Sequence, residues 1–141
     1  MSMWDYCVKC KHCCRNEDDS KIKVTLTKKE KKILKYETDF ILIDKKNHRC
    51  EFIKKGLCSI YKKRPLDCRI YPVLYVNGEL TLDIDCPLIP EYLQGLLDST
   101  SESSRHLRWV KRTIKNLCKE DDYINRMNKN NRGWKPFLVL K

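Results

Sequence analysis

Four thiols fall within eight residues at Cys7, Cys10, Cys13 and Cys14, in the spacing C-x2-C-x2-C-C. They cannot all be accommodated as small buried hydrophobes, because Cys13 and Cys14 are neighbours and the intervening Lys9, Lys11 and His12 are polar. A shared metal satisfies them together, with the thiolate as the ligand form. Side chains of adjacent residues rarely point the same way along an extended chain. Cys13 and Cys14 are therefore expected to serve different roles or different metals.

Two inorganic readings compete. In the first, Cys7, Cys10 and Cys13 wrap a [4Fe–4S] cluster, as a C-x2-C-x2-C run does in bacterial ferredoxins, with a remote cysteine followed by proline as the fourth ligand. Cys86-Pro87 supplies that pair. In the second, cysteines two residues apart form half of a tetrahedral Zn2+ site, completed by later cysteines. The remaining thiols are Cys50, Cys58, Cys68, Cys86 and Cys118, and no second C-x2-C pair exists among them. Irregular spacing favours a site assembled by the fold over a short zinc finger. His12 and His48 lie near cysteines but are read as surface or supporting residues, because thiols are already in excess.

Disulfide bonding is the bland explanation for nine cysteines in a small chain. The opening Met1-Ser2-Met3-Trp4-Asp5 carries neither a positively charged start nor an apolar run, so no secretory signal is expected. A reducing, cytoplasmic setting follows as an expectation, and it favours metal over disulfides.

A second cysteine-bearing stretch runs from Cys58 to Pro72. Pro65 biases Arg64 away from the helical region, so Ser59 to Lys63 makes little more than one turn before the chain reverses toward Cys68. Arg64 and Arg69 flank Cys68. They either donate to cluster sulfur, which raises a reduction potential, or fork onto carboxylates such as Asp67.

The elements that must position these residues are short. Ile22 to Leu26 alternates like a half-buried strand, and Thr27-Lys28-Lys29-Glu30 is a capping box opening a helix expected over Lys28 to Tyr36. Phe40 to Ile43 reads as a strand onto which Cys50 to Ile53 pairs back, making a hairpin with Cys50 at one end and Cys58 at the other. Asn77-Gly78 between Val73–Val76 and Glu79–Ile84 is a strong hairpin signal. That hairpin returns Cys86 toward the start of its first strand. Helical periodicity follows over 89–97 and 105–119, with Ser99 to Ser104 as a polar break. Cys118 fits a packing position and is left out of the site. Trp134 to Leu140 is an apolar tail that must dock on the core or on a partner.

Composition narrows the classes further. The chain has 141 residues and a formal charge of +11. Its glycines are Gly56, Gly78, Gly95 and Gly133, too far apart for a phosphate-cradling loop or a dinucleotide fingerprint. No apolar run approaches the roughly 20 residues of a membrane span, so no membrane partner is expected. The basic surplus suits an anionic partner such as a nucleic acid, although scattered lysines more often form a solvated surface.

With both cysteine stretches in view, the chain resembles the YkgJ-type CxxCxxCC cysteine-cluster family, a zinc- or iron-chelating domain often labelled an Fe–S oxidoreductase. The matching residues are Cys7 to Cys14, then Cys50, then Cys58 to Pro72, and finally Cys86-Pro87. A radical S-adenosylmethionine site is not indicated: Cys10 and Cys14 begin C-x3-C-x2-C, but Glu17 stands where the third cysteine belongs.

The expected fold is a small α+β, cysteine-rich metal-binding domain with short antiparallel hairpins and a helical C-terminal half. Residues 1–90 form the metal-binding region and 91–141 a helical extension packed on the same domain. The ligand candidates are Cys7, Cys10, Cys13, Cys14, Cys50, Cys58, Cys68 and Cys86. The expected function is a [4Fe–4S] protein transferring electrons to, or supporting the redox reaction of, a protein partner. The alternative is a Zn2+-stabilised interaction module with a basic RNA- or protein-binding surface. No general base or nucleophile is identifiable.

Overall fold

The computed structural model describes residues 23–38, 40–44, 49–50, 52–54, 57–76, 79–83, 86–117, 123 and 125. The architecture is α+β, and the chain divides into two compact units, Met1–Arg69 and Ile70–Lys141.

In the first unit, β1 (Lys23–Thr25) pairs antiparallel with β2 (Phe40–Asp44), Val24 facing Ile41. Between them lies α1 (Lys28–Ile33), opened by the predicted capping box. The Glu30 N–H donates to Thr27 Oγ1 at 3.1 Å, and the Thr27 N–H donates back to Glu30 Oε1 at 3.1 Å. This helix stops earlier than its periodicity suggests. Lys35 takes φ 56°, while its N–H donates to the Lys32 carbonyl and that of Tyr36 to the Lys31 carbonyl. These two bonds make a Schellman stop, here with lysine in the left-handed position. The turn carries Tyr36 onto Val24 and Leu26, where Leu34, Phe52 and Cys68 also pack. Tyr36 and Phe52 meet edge to face, their centroids 5.9 Å apart.

The expected Cys50–Cys58 hairpin is corrected. Only β3 (Arg49–Cys50) pairs back onto β2, with Cys50 opposite Ile43. The chain then turns at Phe52, and β4 (Ile53–Lys54) pairs with β5 (Leu57–Cys58), Cys58 opposite Ile53. The register places Lys54 opposite Leu57, so Ile53 and Lys54 belong to a ladder of their own and do not continue β3. The two cysteines therefore stand on separate sheets. After β5 a 3-10 turn (Tyr61–Lys63) ends at Arg64, which is extended at ψ 141° before Pro65. Next comes α2 (Leu66–Ile70), which carries Cys68.

In the second unit, β6 (Val73–Val76) and β7 (Glu79–Leu82) pair antiparallel as expected, with Val76 opposite Glu79; Asn77 and Gly78 themselves lie outside the described residues. Two helices follow, α3 (Ile89–Gly95) and α4 (Glu102–Leu117). The last begins three residues earlier than its apolar periodicity predicts, because Ser101 caps it: the Ser104 N–H donates to Ser101 Oγ at 3.1 Å. Gly95 is required at the α3–α4 corner, where a Cβ would lie 2.3 Å from Ser103 Oγ. Val110 and Ile114 bury the predicted face of α4, and Tyr92 is fully enclosed in α3. Among the described residues no helix is long and apolar enough to cross a membrane.

Candidate metal centre

Of the eight predicted ligands, Cys7, Cys10, Cys13 and Cys14 lie outside the described residues, as do His12, His48, Cys118 and the 134–140 tail. The backbone places Cys50 on β3 and Cys58 at the end of β5. Cys68 sits in the short α2 helix, half-buried against the Val24–Leu26 cluster. Cys50, Cys58 and Cys68 belong to the first unit, whereas Cys86 belongs to the second. Cys68 and Cys86 both offer a sulfur donor. Their chemistry fits a soft-ligand site, since thiolate selects zinc and iron–sulfur iron over magnesium or calcium.

The placement of Cys68 is built from carboxylates that the sequence did not reveal as partners. A helix of only five residues has little stability of its own, and its first N–H groups need external acceptors. The Leu66 N–H donates to Glu30 Oε2 at 2.6 Å, so the residue that closes the α1 cap also holds the start of α2. Asp67, the next residue, reaches the other way and accepts the Thr25 N–H at 2.8 Å. Cys68 is thus fixed by two long-range bonds, to α1 and to β1. Removal from water pushes the Asp67 carboxyl up to about 7; the Thr25 bond opposes this, and the nearby charge of Glu30 adds to it.

Arg69 does not fork onto Asp67. Its guanidinium lies 3.6 Å from Glu30 Oε2, and its Nε donates to the Arg64 carbonyl at 3.1 Å. Glu30 is the nearer base because the cap directs it toward α2, while the Asp67 carboxylate is already committed to Thr25. Arg64 contributes that carbonyl from the extended residue before Pro65.

Cys86 is buried and held by successive turns. Its N–H donates to the Asp83 carbonyl at 3.2 Å, and its own carbonyl accepts the Ile89 N–H at 3.1 Å. Asp83 in turn donates its N–H to the Pro72 carbonyl at 2.8 Å and accepts the Tyr71 hydroxyl at 2.6 Å. The hairpin therefore returns Cys86 to the Pro72 end of its own first strand. Tyr71 and Asp83 carried no visible signal of this role beyond flanking the cysteine segments, and Glu30 showed only its part in the capping box. Among the described residues no three His, Cys, Asp or Glu side chains converge as a metal cluster.

A pair of strand-borne cysteines, a cysteine on a clamped helical turn and an N-terminal run of four more define the class as a cysteine-rich chelating domain on an α+β fold. Residues 6–87 match the CxxCxxCC family, described as "Putative zinc- or iron-chelating domain", and the chain belongs to that family. No curated protein matches the chain. No solved structure matches it either.

Proposed function

We propose that this chain holds an iron–sulfur cluster on its cysteines and serves a partner protein in electron transfer or redox support. The observation that carries the reading is the Cys7-x2-Cys10-x2-Cys13 triplet with a distal Cys86-Pro87, inside the segment matched by a family described as a zinc- or iron-chelating domain. When bound, such a cluster supplies one-electron chemistry. The protein's part is to present thiolates, to limit access of water and to set the charge around them. The clamped turn that carries Cys68 suits that task, because a ligand on a pre-formed turn loses little freedom on binding.

The test is iron, zinc and acid-labile sulfide content, with a visible spectrum, on protein purified without air. About four irons and four sulfides per chain with a broad visible band are expected. Zinc without sulfide, after cluster reconstitution has also been attempted, would overturn the reading in favour of a structural zinc site. Serine at Cys7, Cys10 or Cys13 should abolish the band. The same readout on Cys14, Cys50, Cys58, Cys68 and Cys86 variants identifies the fourth ligand.

A further inference from the structure

Helix α4 lies outside the 6–87 family segment. Its buried side is set by Val110 and Ile114. At about 100° per residue the opposite side carries Arg105, Arg108, Arg112 and Lys115 within an arc of roughly 80°. All four are exposed, as is Asn116 beside them. The helix contains one acid, Glu102 in its first turn, so none falls between residues 105 and 115. The next acids in the sequence, Glu120 to Asp122, follow the helix.

An ordinary solvated helix face mixes signs at i, i+4. Here Arg105–Arg108, Arg108–Arg112 and Arg112–Lys115 are like-charge neighbours, and such pairs disfavour a helix. Among the described residues none of the four is ion-paired with a carboxylate. Arg105 and Arg108 donate instead to backbone carbonyls, that of Ser101 at 3.4 Å and that of Ser99 at 2.8 Å. The second bond holds Arg108 at one end while leaving its other donors available.

An aromatic platform borders the stripe. Trp109, half-buried, is one turn from both Arg105 and Arg112, and its ring leans on His106 with centroids 5.9 Å apart. His106 is fixed in turn by Tyr92, whose hydroxyl lies 2.8 Å from Nδ1. Arginine matches phosphate through two parallel donors, and an indole at the edge of a basic row is where a base can stack. The stripe is about 15 Å long at about 1.5 Å per residue, the rise of four or five stacked nucleotides at about 3.4 Å each.

We infer that the outer face of α4 binds single-stranded nucleic acid, with Arg105, Arg108, Arg112 and Lys115 on successive phosphates and Trp109 under a base. An acidic protein would satisfy the charges but would make no use of the indole edge. Insertion into a lipid surface is disfavoured, because the apolar side of the helix is already buried in the fold.

The experiment uses the full, metal-loaded chain and fluorescence anisotropy of labelled dT12 and rU12 across a salt series, with poly-glutamate as competitor. Four phosphate contacts predict a log–log salt slope near −2.8, from about −0.7 per contact for single strands. The Arg108→Gln/Arg112→Gln variant should halve that slope and, relative to binding in 1 M salt, lose about 25-fold in affinity at 0.1 M salt. Trp109→Leu should weaken binding without changing the slope. The control Lys28→Gln/Lys29→Gln removes the same charge from exposed positions of α1. Equal loss in that control would show a net-charge effect and overturn the site. Salt-independent binding, or poly-glutamate competing as well as unlabelled dT12, would overturn the nucleic-acid assignment. The dT12 and rU12 arms distinguish DNA from RNA, and similar affinity for both is the expectation for phosphate-and-stacking recognition.

Discussion

Replacing Glu30 by alanine strips one carboxylate from three places. Oε2 accepts the N–H of Leu66, which is 3% exposed, so without it a buried donor is left unsatisfied. A hydrogen bond to a charged acceptor contributes about 1.5–3 kcal/mol. Oε1 accepts the Thr27 N–H in the capping box, and losing that half of the cap costs about 0.5–1 kcal/mol. The Arg69 contact is 3.6 Å long on a side chain that is 44% exposed, so it adds close to nothing after solvent screening. The sum is about 2–4 kcal/mol, concentrated where α1 holds α2. Because the chain has two units, amide hydrogen exchange is a better assay than one global melting curve. Leu66 protection should fall roughly 10- to 150-fold, the equivalent of 1.5–3 kcal/mol at about 1.36 kcal/mol per decade. Glu30→Gln, with one acceptor oxygen in place of two, should fall between wild type and alanine. Leu66 exchange changing by less than about threefold in Glu30→Ala would refute the idea that this carboxylate anchors the Cys68 turn.

Two further outcomes follow from the same geometry. Because burial raises the Asp67 carboxyl to about 7 from its ordinary 3.8, the native chain binds more protons than the unfolded one between those values. Stability from this group should therefore decline as pH rises across that window and level off above it. Asp67→Asn, which keeps an acceptor for the Thr25 N–H, should match wild type near pH 4 and exceed it at pH 8. Parallel melting-temperature profiles for the two proteins, at matched metal content, would count against this. At the α3–α4 corner, Gly95→Ala sets its Cβ 2.3 Å from Ser103 Oγ and 3.0 Å from Ser103 Cβ. Overpacking of this kind costs about 1–3 kcal/mol, partly offset by the roughly 1 kcal/mol that alanine gains over glycine in a helix. Adding Ser103→Ala should recover part of the loss in thermal unfolding, and a Gly95→Ala protein as stable as wild type would sink the argument.

Features determined by neighbours in the chain were legible beforehand. The Thr27–Glu30 box, the Asn77-Gly78 hairpin and the apolar face of α4 depend on contacts within a few residues, which composition and spacing record directly. The cysteine motif belongs with them, since ligand type and local spacing identify a chelating family without coordinates. The ends of α1 and α4 were read less well, because a Schellman turn with lysine and a serine cap inside a polar run leave weak traces.

What the sequence by itself determined is the chelating chemistry, the α+β class and the order of the short elements. Only the tertiary structure decided that Cys50 and Cys58 stand on different ladders, that Arg69 faces Glu30, and that Asp67 loses its water beneath the Thr25 amide. Each of these depends on residues brought together across the fold, Glu30 and Leu66 being 36 positions apart and Thr25 and Asp67 42. The physical reason is that a carboxylate's partner is whichever donor the packing leaves unsatisfied beside it, and local spacing carries no record of that.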